Sequence, residues 1–134
     1  MVPGAAWEPV REALAHPQAS RSAEPVTEAG LSSALTAAVR LYHDNSYAAL
    51  GQVLPGLLRD ADDGPALVRS RVLQLAGSFM VQTRQRDVAR VALDRSLAAA
   101  ENAGSMLDAA SCVVTMCWLW LLEGRLGQVQ ATPC

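Results

Sequence analysis

The apolar pattern of this chain repeats at intervals of 38 to 40 residues, and that recurrence limits the fold more than any other feature. Ala34, Leu35, Ala38, Leu41 and Tyr42 align with Val72, Leu73, Ala76, Phe79 and Met80 at an offset of 38. Leu50, Val53, Leu54, Leu58 and Ala61 align with Ala89, Ala92, Leu93, Leu97 and Ala100 at an offset of 39. The Val72 block reappears in turn, at an offset of 40, as Cys112, Val113, Met116, Leu119 and Trp120. Inside each block the spacings are three and four, which is one face of an α-helix. A two-helix unit of this length cannot bury its apolar face alone and stacks on its neighbour.

The local signals place six helices. A short one runs over Trp7–His16 and stops at Pro17; a polar segment holding Pro25 follows it. The next helices are expected at Leu31–Asp44 and Tyr47–Ala61, separated by Asp44-Asn45-Ser46. Pro55 lies inside the second of these, and its ring opposes the carbonyl of Gly51, so a bent helix is expected there. Asp62-Asp63-Gly64-Pro65 is a turn leading into a helix over Pro65–Thr83. Asp87 is placed to cap a helix over Val88–Ala103, which Gly104 ends as a left-handed C-cap. Ser105 with Asp108 resembles a capping box opening a last helix, Met106–Glu123, that stops at Gly124. The expected architecture is all-α, a right-handed helical solenoid of the tetratricopeptide-like kind. Its divisions are 1–29 (short helix and polar linker), 30–125 (repeat domain) and 126–134 (short tail, a truncated repeat).

Composition supports helices and narrows the functions. The chain has 134 residues, of which 51% are hydrophobic and 18% charged, enough for one domain with a core. Ala, the best helix former, is the commonest residue, while aromatics are only 4%. All eleven basic residues are Arg, a bias of GC-rich bacterial genomes, and the net charge is −2. An acidic balance disfavours direct nucleic-acid binding. The greasiest stretch, Cys112–Leu122, is shorter than the roughly twenty residues a membrane span needs. Met1–Glu8 has no signal-peptide pattern, and Cys112, Cys117 and Cys134 read as reduced, so a cytoplasmic location is expected. His16 and His43 stand in no metal-binding spacing, and no cofactor is expected. Neither Cys112 nor Cys117 has a basic sequence neighbour to activate it, and the chain is not expected to be an enzyme.

The ordered motifs resemble a known family. Trp7, Pro9, Val10, Arg11, Ala13 and Leu14 open the chain; after a polar gap come Leu41-Tyr42, Tyr47, Leu50, Leu54-Pro55, Leu57-Leu58 and Ala61. Then follow Ala89, Ala92-Leu93-Asp94-Arg95-Ser96-Leu97, Ala100 and finally Gly124-Arg125. In order and spacing these resemble the C-terminal tetratricopeptide-like domain of xenobiotic-response-element-type helix-turn-helix regulators of high-GC filamentous bacteria. The resemblance implies a sensor and oligomerisation domain in a transcriptional regulator. The DNA-binding half has no counterpart before Trp7, and the tail after Arg125 is short where the family continues into another helix. The expectation is therefore a fragment, a truncated product or a stand-alone remnant.

Two sets of residues are candidates for binding. Ser33, Thr36, Arg40 and His43 form a polar stripe on one helix, and Arg71, Gln74, Ser78 and Gln82 form another. The plain reading is a solvated face. The sharper one is a groove for a peptide or a small-molecule effector, lined by Arg40, His43, Arg71, Gln74, Ser78 and Gln82. Met116, Trp118 and Trp120 lie on a helix that is apolar all round. They are either buried between neighbours or, lacking a following helix, form a homodimer interface. The functional expectation is a ligand- or peptide-binding regulatory domain; the alternative is a protein-interaction adaptor unrelated to transcription.

Overall fold

Six helices form in the computed structural model, which describes residues 7–15 and 27–122: α1 (Glu8–Ala15), α2 (Glu28–His43), α3 (Tyr47–Ala61), α4 (Ala66–Gln82), α5 (Arg86–Asn102) and α6 (Met106–Leu122). No described residue lies in a strand. The polar segment expected over Gln18–Glu28 lies outside the described residues except for Thr27 and Glu28, and Glu28 opens α2 instead; the tail with its stop at Gly124 also lies outside them. α3 has the expected bounds and passes through Pro55 as one helix. α2 begins earlier than expected because Thr27 caps it, its side chain accepting the Gly30 amide at 3.0 Å. Asp87 does not cap α5. It lies inside the first turn, after Gln85 at the N-cap position, and its carboxylate pairs with Arg11 of α1 at 3.0 Å. A partner far away in sequence has replaced the local backbone one.

Three of the connections share one geometry. After α2, the Asn45 amide donates to the Tyr42 carbonyl at 3.1 Å and the Ser46 amide to Leu41 at 2.9 Å. After α4, Arg84 bonds to Val81 and Gln85 to Met80 in the same pattern; after α5, Gly104 bonds to Glu101 and Ser105 to Ala100. Each is a Schellman turn, which needs one residue in the left-handed region. Those residues are Asn45 (φ 59°), Arg84 (φ 63°) and Gly104 (φ 70°). Gly104 takes the expected role at no steric cost. Arg84 carries a side chain where the backbone disfavours one.

Packing follows the chain. α2 lies against α3 and α4; α4 against α3, α5 and α6; α5 against α6; and α1 crosses α3 and touches α5. Val68, Val72, Leu75, Ala76 and Phe79 are all buried, as their spacing predicts, and Leu73 and Met80 join them because α4 has neighbours on several sides. α2 buries a narrower stripe: Leu31, Leu35 and Ala38 are inside, but Ala34 is exposed. Small residues bring α4 and α5 close. Ser70 Oγ donates to the Ser96 carbonyl at 2.8 Å, and Ser96 Oγ donates to the Ser70 carbonyl at 2.6 Å. Both serines are fully buried, and this exchange satisfies their hydroxyls. The thiol of Cys112 on α6 reaches Ser96 Oγ at 2.9 Å. Cys112 is free and its buried position pushes the thiol pKa up, which keeps it unreactive. Cys117 is disulfide-bonded, so the expectation of three reduced thiols fails, and with it the support that expectation gave to a reducing compartment.

Candidate functional site

Helices α2, α4 and α6 present one face side by side, and a cleft of about 320 Å³ lies across them. Leu35, Val39 and Leu75 give it apolar walls, and Tyr42 adds a ring. His43, Arg71, Gln74 and Ser78 supply its polar groups, together with Asp108. The helical spacing explains the convergence: Arg71, Gln74 and Ser78 rise three and four apart along α4. His43 sits in the last turn of α2, and its ring meets Tyr42 edge-on at 5.8 Å. Tyr42 then leads through Tyr47 to Phe79, at centroid distances of 5.9 and 6.2 Å, fixing the aromatic end of the cleft to the core. Burial, with a smaller contribution from Tyr42, raises the Tyr47 pKa, and its hydroxyl donates to Asn45 Oδ1 at 3.1 Å.

At the other end Arg71 Nε donates to Asp108 Oδ1 at 3.1 Å, linking α4 to α6. Asp108 is buried. Burial alone would raise its pKa, but hydrogen bonds from Ser105 and Arg71 and the Arg71 charge outweigh it and hold the carboxyl below its ordinary range. Ser105 Oγ donates to the Asp108 carboxylate while the Asp108 amide donates back to Ser105 Oγ at 3.3 Å. Ser105 therefore caps α6 as the sequence predicts, but the reciprocal arm of a capping box is missing: the Ser105 amide goes to the Ala100 carbonyl, and Asp108 accepts the Ser105 hydroxyl instead. The same carboxylate also belongs to the cleft, which the sequence reading missed. Its signal was there: an acid at the start of one repeat helix, opposite an Arg of the preceding one.

The remaining candidates are placed differently. Arg40 and Gln82 are exposed and do not line the cleft. Met116 is buried in the fold, Trp120 is half-buried against the core, and Trp118 is 62% exposed. These three do not share a surface. Trp118 instead shares the outer side of α6 with the exposed Leu107, Val114 and Leu121, at spacings of three, four and seven. A second, larger cavity of about 500 Å³ lies away from the cleft, where α1 meets α3, α4 and α5. Among the described residues no cluster of metal-ligating side chains forms, and no helix is long and apolar enough to cross a membrane. Compared with known protein families, curated proteins and solved structures, the chain matches none.

Proposed function

We propose that the chain is a tetratricopeptide-like right-handed solenoid that binds a peptide or small amphipathic effector in the α2–α4–α6 cleft. In this reading it is the regulatory and oligomerisation domain of a helix-turn-helix transcriptional regulator, without catalysis of its own. The observation that carries the binding role is the convergence of His43, Arg71, Gln74, Ser78 and Asp108 on one concave, partly apolar site. Such sites fix a ligand's orientation with a few polar groups set in apolar walls. The turns after α2 and α4, which occupy equivalent places in successive two-helix units, share one Schellman geometry and support the repeat reading. The regulator role rests on the family resemblance. Self-association through the outer side of α6 would cover Trp118 and Leu121.

Panning a phage-displayed peptide library on the full chain tests the binding role. Recovered peptides should bind the wild type and lose binding to Ser78→Trp, which fills the cleft from its half-buried rim. Peptides that bind Ser78→Trp as well as the wild type would contradict the assignment.

A further inference from the structure

The cavity under α1 has a different character from the cleft. Leu14, Leu58, Val72 and Leu73 form its apolar walls, and Arg69 and Arg95 stand at its edge. The two guanidiniums are held in place. Arg69 Nη1 donates to the Gly64 carbonyl at 3.2 Å, in the turn before α4. Arg95 Nη1 donates to the Leu14 carbonyl at 2.7 Å. That carbonyl belongs to the last turn of α1, where helix geometry leaves acceptors without an intrahelical donor. Arg95 thereby fastens α1 over the cavity, and the Arg11–Asp87 pair fastens it one turn earlier. A guanidinium has five donors in a rigid fork, so one anchored edge orients another toward a planar oxyanion. Asp62 stands on the same rim and is itself partnered. Among the described residues of the rim, two cations stand against one carboxylate.

We infer that this cavity is a second binding site, selective for an amphipathic monocarboxylate whose apolar body lies against Leu58, Val72 and Leu73 and whose carboxylate meets Arg69 and Arg95. At about 500 Å³ it falls in the size range of small-molecule sites. The assignment goes beyond the cleft and stands whether or not the cleft binds peptides. A neutral ligand of the same shape would keep the apolar contacts and lose the charge-assisted hydrogen bonds, which are the stronger kind.

The test is titration of the full-length chain with octanoate and, separately, octanol, followed by amide correlation spectra. Octanoate should bind saturably and shift the amides of Leu58, Val72 and Ala99, with octanol weaker by about tenfold or more. Arg69→Gln and Arg95→Gln should each weaken octanoate by about tenfold and leave octanol unchanged. Because Arg95 also holds α1, Arg69→Gln provides the comparison in which that helix keeps its anchor. Equal binding of the two ligands, shifts confined to the cleft, non-saturable shifts, or octanoate affinity unchanged in both variants would each overturn the assignment.

Discussion

Arg71 and Asp108, 37 positions apart, close one end of the cleft through a hydrogen-bonded ion pair of 3.1 Å that joins α4 to α6. The carboxylate is largely buried and the guanidinium half exposed, so the pair orders the cleft more than it stabilises the fold.

Asp108 makes stability depend on acid. Its folded pKa lies below the ordinary value near 3.8, so the carboxylate's contribution is complete above that value and is lost as pH falls through the lower, folded one. Asp108→Asn should cost about 1–2 kcal/mol at neutral pH, after discounting for the exposure of Arg71. Urea unfolding across the acid range should show the gap between wild type and variant closing below about pH 4. A gap that stays constant with pH would refute the charged role of Asp108.

Two helical glycines should respond in opposite directions. A Cβ on Gly77 would lie 2.7 Å from both Cγ and Cδ2 of the fully buried Leu93, whereas one on Gly56 meets nothing within 4 Å. Gly77→Ala should destabilise by about 1–3 kcal/mol, less whatever helix propensity returns. Gly56→Ala should stabilise by about 0.5–1 kcal/mol. Denaturant midpoints measured side by side decide it; a Gly77→Ala variant no less stable than the wild type would mean that α4 and α5 are not as close as described.

Arg84 occupies the left-handed position that Gly104 fills one turn later. Arg84→Gly should raise stability by about 0.5–1 kcal/mol, the strain of a side chain there exceeding the added entropy of glycine. A lower thermal midpoint in the variant would show that the Arg84 turn is not left-handed in solution.

Much of this arrangement was legible in the sequence, and the failures share a cause. The bounds of α3, the buried stripe of α4, the Gly104 turn and the Ser105–Asp108 cap all depend on residues within one or two helical turns. The errors lie where a distant partner decides. Asp87 looked like a cap until Arg11 of α1 took its carboxylate, and Met116 looked available until α6 turned it inward. Asp108 was read for its local role alone, and the cavity edged by Arg69 and Arg95 exists only once α1 has docked. Of the groove residues, helical spacing brought His43, Arg71, Gln74 and Ser78 together; Arg40 and Gln82 are set aside by the rotation of their helices.

Self-association is tested at Trp118, whose exposure lets it be removed without touching the core. Sedimentation equilibrium at micromolar protein should show a dimer that Trp118→Ala weakens by about tenfold or more, as truncating a buried interface Trp does. A monodisperse wild-type monomer, or a dimer indifferent to the change, would place the α6 surface outside any homodimer.

Amide chemical-shift mapping of the full chain with a peptide recovered by panning tests binding in the cleft most directly. Saturable shifts should concentrate at His43, Gln74, Ser78 and Asp108, on the three helices that share the cleft. Shifts concentrated on α3 and α5, or around the cavity under α1, with the cleft amides unmoved, would contradict it.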